Sequence, residues 1–287
     1  MKKIVVPIDF SDCSINALRI AANIAKKSGA VLHMVHVYER PVYGFVDLVV
    51  DNGENQKIRD AIKKRFEALA TSDFLEGVKC KRFLLADVNV KTIINHEKLV
   101  DADLLVMGSH GHEKKDYFFI GSNAEKIVRL SPAPVLVVKS DNKAFQLNDI
   151  VFASNFYGEA AASFEKIKNF ATLFNAKVHL LKVITHGGFE NSSKSFRMME
   201  DFAQENGLTN YTTNTHNHQY VENGIIEFAN QKQADLIALE THGRIGLSHF
   251  FNGSMAEGVA LQSNIPVMSV RIKEVPIEYG VIFPESR

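Results

Sequence analysis

The sequence predicts an α/β protein of two tandem domains, each an open five-stranded parallel sheet with helices on both faces. Three observations carry this. The chain is written twice, each copy alternates short apolar runs with amphipathic stretches, and 287 residues give each copy enough chain to bury a core.

The repeat is read by setting "KIVVPIDFSDCSINALRIAANIAKKSGAVLHMVHVYE" above "DIVFASNFYGEAAASFEKIKNFATLFNAKVHLLKVIT". Ile4 falls on Ile150, Asp9 on Asn155, Gly29 on Asn175, His33 on His179 and Val37 on Val183, all at an offset of 146 residues. Later landmarks keep an offset of 132: Asp103 on Asp235, Gly111 on Gly243, Gly121 on Gly253, Pro134 on Pro266. The second copy is therefore 14 residues shorter, with the deletion between its second strand and its glycine region. The expected domains are 1–140 and 147–273, followed by a tail at 274–287, with the seam near "KSDNKAFQLND".

Within the first copy "KIVVPI" reads as a strand buried on both faces. Ser11 or Asp12 can cap the next helix, whose apolar stripe runs through Ala17, Leu18, Ala21, Ala22 and Ala25. Gly29 supplies a left-handed helix stop, and Asn175 does so in the second copy. "AVLHMVHV" is the second strand, residues 54–72 a helical region, and "CKRFLLA" the third strand. A helix over 89–100 leads to "DLLVMG", the fourth strand; "GSNAEKIVRLS" is the last helix and "APVLVVK" the fifth strand. Such alternation implies right-handed crossovers, and ligands then sit beyond the C-terminal strand ends at the switch point. Asp9 and Gly108 both lie at such ends.

Composition narrows the functional classes. With 33 basic and 33 acidic residues there is no cationic excess for nucleic acid or an anionic membrane. Cys13 and Cys80 are the only cysteines, which fits a reducing compartment rather than a disulfide framework. The opening "MKKIVVPIDF" has too short an apolar run for a signal peptide, so a cytoplasmic protein without membrane insertion is expected.

The chemistry concentrates in "DLLVMGSHGHEKKDYFFIGSN", residues 103–123. Gly108 and Gly111 allow close backbone approach by a ligand, and Gly121-Ser122 opens a helix whose free amides favour an anion. No Walker lysine motif occurs. Taken alone, the glycines serve a phosphate cradle and an ordinary turn equally well.

The spacing Gly-x-x-Gly, nine residues, Gly-Ser, with "DLLVM" before it and "PAPVLVVK" after it, closely resembles the universal stress protein family; "VVPIDFSDCSINAL" is similar to that family's first strand and helix. The resemblance covers both copies and implies tandem Rossmann-like domains of the adenine nucleotide alpha hydrolase type. It also implies a site for ATP or AMP; Mg2+ would join it if the triphosphate were hydrolysed. By position, Asp9, flanked by Pro7 and Ile8, would contact the nucleoside, and Val37 the adenine. Met107 and Gly108 would floor the pocket, His110 and Gly111 would line the phosphate path, and Gly121, Ser122, Asn123 and Ala124 would hold the phosphates. The bland alternatives are that Asp9 caps a helix, Met107 and Val37 are core residues, and His110 is solvated. The family's last strands dimerise, so an internal pseudo-dimer of the two copies is expected, with a homodimer and an unidentified protein partner as further associations.

The second copy departs from the pattern. Asn155 replaces the acidic residue, Ala153 the proline and Glu240 the first glycine. A glutamate there places a side chain and a negative charge where phosphate would lie, so this copy is expected to bind ATP poorly or not at all. "THNHQY" places His216 and His218 two apart, which alone is weak ground for a metal and reads as a solvated segment. The expected function is a nucleotide-binding stress-response regulator; a slow ATPase or phosphotransferase and a nucleotide-independent scaffold are the alternatives. No catalytic residue is singled out.

Overall fold

The computed structural model describes residues 1–38, 53–86, 101–109, 122–139, 145–157, 160–188, 190–242 and 255–272. In the first half β1 (Lys3–Pro7), α1 (Asp12–Ser28), β2 (Val31–Tyr38), α2 (Glu54–Ala70), β3 (Cys80–Ala86), β4 (Leu104–Gly108), α3 (Ser122–Leu130) and β5 (Val135–Val138) follow one another. The second half repeats them as β6 (Asp149–Ala153), α4 (Ala160–Phe174), β7 (Lys177–Ile184), α5 (Ser192–Glu205), β8 (Tyr211–Asn217), α6 (Val221–Gln231), β9 (Leu236–His242), α7 (Met255–Gln262) and β10 (Val267–Ile272). The helix expected over 89–100 and the tail over 274–287 lie outside the described residues. Most of the shortening falls after the second strand: residues 39–53 separate β2 from α2, but only 185–191 separate β7 from α5.

The two five-stranded halves join through their last strands into one ten-stranded sheet in the order β3-β2-β1-β4-β5-β10-β9-β6-β7-β8. Among the described residues each half is parallel internally, and only β5 and β10 run antiparallel. Leu136 faces Met268 there, its own counterpart at the 132-residue offset, so an approximate twofold axis passes through this pair. The strands are apolar on both faces because both faces are covered. Ile4, Leu136, Ile150 and Met268 belong to one core, and Val5, Val135, Val137, Val151 and Val267 to the other.

The junction is reinforced reciprocally at two helix ends. Lys139, just after β5, donates its ammonium to the Leu261 carbonyl at the end of α7. Arg271, in the matching place on β10, reaches the Leu130 carbonyl at the end of α3 at 3.4 Å. A cation at a helix C-terminus satisfies carbonyls that lack an intrahelical partner and complements the helix dipole. On the opposite face α1 meets α4, where Lys27 Nζ lies 4.8 Å from the centre of the Phe174 ring.

Local signals explain the element boundaries. Ser11 caps α1 by accepting from the Ser14 amide, Gly29 stops the helix at φ 73°, and Asn175 takes φ 55° after α4. The repeated Asp before the fourth strand is a clamp between strands. Asp103 Oδ2 accepts from the Lys3 amide at 2.9 Å, and Asp235 Oδ2 accepts from the Asn148 and Asp149 amides at 2.7 and 3.1 Å. Paired histidines diverge in their surroundings. His179 bridges Asp149 Oδ1 at 2.8 Å and Thr212 Oγ1 at 2.7 Å, whereas buried His33 lies tilted against the Phe83 ring with Lys3 and Lys81 nearby.

Leu136 is fully buried at the junction, so Leu136→Ala removes apolar contacts shared by both halves. The expected loss is about 2–5 kcal/mol, read in urea denaturation as a shift of one shared transition. Two independent midpoints, one of them unmoved by the substitution, would contradict a common core.

Candidate functional site

The first-half strand order 3-2-1-4-5 puts the switch point between β1 and β4. Their parallel register matches Ile4 with Leu104 and Val5 with Leu105, which carries the chain leaving β1 beside the end of β4. Pro7 closes β1, and the amide of buried Ile8 donates to the Val35 carbonyl at 2.7 Å, holding the strand end against β2. Asp9 follows, half-buried, with Oδ1 accepting from the Ser11 amide at 2.9 Å and the Ser11 hydroxyl at 2.6 Å. This is an Asx turn that feeds the chain into α1. The helix cap itself is Ser11, not Asp9.

Val37 sits half-buried near the end of β2, opposite Leu85 of β3. Met107 is buried at the end of β4 in the same core as Val35, Val137 and Ala124. Ala124, in the first turn of α3, belongs to that core as well. Ser122 and Asn123 lie in the opening turn of that helix. His110, Gly111 and Gly121 lie outside the described residues. The structure thus brings Pro7, Ile8, Asp9, Met107, Gly108 and the start of α3 to one edge of the half-sheet, with Val37 one strand further out.

Gly108 has a packing reason beyond ligand approach. A Cβ there would lie 2.8 Å from Cys13 Sγ and 2.9 and 3.0 Å from the Cys13 carbonyl carbon and oxygen. Only glycine lets the first turn of α1 rest on β4 this closely. In the second half Glu240 takes this place, and its carboxylate accepts hydrogen bonds from Ser154 Oγ at 2.9 Å and from the Ser163 hydroxyl of α4. The glutamate is thus tied to the chain that leaves β6 and to the first turn of α4.

Asn155 matches Asp9 in the turn as well as in sequence. Its Oδ1 accepts from the Tyr157 amide at 3.0 Å, the counterpart of the Asp9 bond to Ser11. The residue after each, Phe10 and Phe156, adopts the left-handed region at φ 64° and 59°. Bulky residues rarely accept that conformation, so both strand ends are held to a fixed shape.

Sequence reasoning missed the group that holds the first of these turns. His36 Nδ1 lies 2.6 Å from the Ile8 carbonyl, its ring 4.9 Å from Phe10, and Arg65 lies 4.5 Å over the Phe10 ring. Burial pushes the His36 pKa below 6.5, with Arg65 acting in the same direction and the Ile8 bond and Asp9 opposing. The neutral ring donates its Nδ1 proton to Ile8. The 146-residue repeat of Phe10 as Phe156 was a visible signal for this corner. In the second half Lys182 replaces His36 and makes a different network: it pairs with Glu190, which also binds Lys194, Tyr157 and Ser195. Lys182 first, then Lys194 and Tyr157, hold the Glu190 carboxyl at about 2.

The family model described as the universal stress protein family matches residues 1–139 and 148–271. Universal stress protein MJ0531 of Methanocaldococcus jannaschii is 33% identical over 150 residues, covering 50% of this chain and 84% of that protein. Universal stress protein YxiE of Bacillus subtilis is 30% identical over 145 residues, covering 48% of this chain and 98% of that protein. The crystal structure of a universal stress protein from Archaeoglobus fulgidus superposes with a TM-score of 0.71 over 95% of this chain and 97% of that one. At 20% identity that likeness speaks to the fold.

Two outcomes follow from the geometry. Gly108→Ala forces a Cβ onto the Cys13 backbone, and such overpacking is expected to lower stability by about 1–3 kcal/mol in urea denaturation; an unchanged midpoint would contradict the close approach of α1. The second concerns pH. His36 and His33 both have folded-state pKa values below 6.5, so the unfolded chain takes up protons first as pH falls. Their contribution is complete above about 6.5 and is lost as pH drops through the folded-state values. Stability measured at pH 5.5 is expected to fall below that at pH 7.5, and His33→Gln and His36→Gln are each expected to flatten the decline.

Proposed function

The chain belongs to the universal stress protein family, and from that premise we propose that its first half binds an adenine nucleotide, ATP or AMP, at the β1–β4 switch point. The comparison of Asp9 with Asn155 carries this reading. Both make the same turn through one side-chain oxygen, so the turn does not require a carboxylate. A carboxylate at Asp9 suits the hydroxyl groups of a nucleoside as a hydrogen-bond acceptor. The end of β4 supports the base and sugar from beside it, with Met107 and Gly108 as floor. Val37 lies where the adenine would reach the end of β2. The start of α3, Ser122 to Ala124, offers backbone amides and the positive helix end to phosphate. His110, Gly111 and Gly121 complete the cradle in this proposal, and Mg2+ accompanies the triphosphate.

The second half is proposed to stay empty. Asn155 lacks the charge, and Glu240 keeps its carboxylate on Ser154 and Ser163 at the corresponding corner. Desolvating a carboxylate near phosphates opposes binding there. On this reading nucleotide occupancy of one half biases the conformation or the partner choice of the whole chain in a stress response. Turnover is not its main output.

Asp9→Ala tests the assignment. Removing a charge-assisted hydrogen bond of about 1.5–3 kcal/mol weakens affinity roughly tenfold to a hundredfold. Calorimetric titration with ATP and with AMP is expected to show that loss for Asp9→Ala, with no change for Asn155→Ala. Equal affinity in wild type and Asp9→Ala would refute the site.

A further inference from the structure

A second cluster lies at the far edge of the sheet, where β8 ends. His216 and His218 present nearly parallel rings, 6.5 Å between centres and 13° between planes. Their Nε2 atoms lie 3.8 and 3.7 Å from the same oxygen, Glu227 Oε2 of α6. Neither separation is a hydrogen bond. His216 Nε2 is buried and has no hydrogen-bond partner, an arrangement that carries a desolvation penalty unless something else fills it.

The surroundings hold all three groups in place. Glu227 Oε1 accepts from Gln231 Nε2 at 3.1 Å, which fixes the carboxylate and leaves Oε2 toward the rings. His218 Nδ1 lies 2.8 Å from the Tyr220 carbonyl and 3.0 Å from the Tyr220 amide, so the backbone holds that ring by its inner edge. When Nδ1–H donates to the carbonyl, Nε2 carries the outward lone pair, the state a metal ligand requires. Gly224 permits the close approach of strand end and helix, because a Cβ there would lie 2.8 Å from His218 Cβ and 2.9 Å from Val183 Cγ1. The fold itself does not require a histidine here. Val183 pairs with His216 just as Val37 pairs with Leu85, so the first half places leucine at the same point.

We propose that His216, His218 and Glu227 bind a divalent transition cation of the zinc class. Two imidazoles and a carboxylate suit Zn2+, Ni2+ or Cu2+ better than Mg2+ or Ca2+, which prefer all-oxygen cages. Bonds of about 2.0–2.2 Å at a tetrahedral angle set ligand atoms about 3.4 Å apart, a few tenths of an ångström inside the 3.8 and 3.7 Å that separate each Nε2 from Oε2. Among the described residues no three such side chains are already closed round a common point; binding therefore draws the two rings toward the carboxylate. Three protein ligands leave a position for water or for a group from a partner.

Titration of the tag-free full chain with Zn2+ tests this, with Co2+ as a spectroscopic probe. One Zn2+ per chain is expected, together with a Co2+ visible spectrum of low coordination number. His216→Leu, which copies the first half, and Glu227→Gln, at a half-exposed position, are each expected to weaken Zn2+ binding at least tenfold. No saturable uptake by the wild-type chain would overturn the proposal, as would wild-type affinity in Glu227→Gln.

Discussion

The antiparallel pairing of β5 with β10 is the constraint on which the rest of the molecule depends. Every other strand runs parallel to its neighbours within its own half. Reversing direction once, at the centre, sends the C-terminal strand ends of the two halves to opposite edges of a single sheet. The corner at Asp9 and Gly108 and the corner at Asn155 and Glu240 therefore open on opposite edges and cannot share one ligand. What the halves do share is core: Leu136 against Met268, with Lys139 and Arg271 reaching across to the ends of α7 and α3.

The same fold at the two edges has been given different chemistry. At the first, glycine at position 108 lets α1 lie directly on β4, and a half-buried carboxylate stands beside that contact. At the second, the glycine is replaced by a glutamate that two serines hold, and the carboxylate of the turn becomes an amide. The turn is unchanged because its hydrogen bond needs only an acceptor oxygen. Electrostatic character was thus altered without altering backbone shape, even to the left-handed residue that follows. The site chemistry of each half can differ because the strand-end geometry is set elsewhere, by Ile8 on Val35 and Ser154 on Leu181.

Much of the fold was legible in the sequence because its causes are local. Apolar runs long enough for one strand, the stripe of α1, and Gly29 and Asn175 at helix ends each specify their element through short-range rules. The repeat then made each half a check on the other. The antiparallel register of β5 on β10 was not legible, since it depends on edges meeting in space. At the β1–β4 strand ends, Asp9, Met107 and Gly108 were singled out by position, but the reason for Gly108 was only half seen: its missing side chain admits Cys13 of α1. His36 and Phe10 escaped notice because neither a buried imidazole bonded to a carbonyl nor a left-handed phenylalanine has a sequence signature. The serine partners of Glu240 are 77 and 86 residues away in the chain, beyond any local rule. The gathering of His216, His218 and Glu227 likewise needed the crossover from β8 into α6.

The central claim is that one half of this chain holds an adenine nucleotide and the other does not. Native mass spectrometry of the freshly purified full chain, before and after titration with ATP and AMP, counts bound nucleotides directly. The account predicts saturation at one nucleotide per chain. Two per chain would contradict the assignment of the second half, and none at any concentration would contradict the site itself.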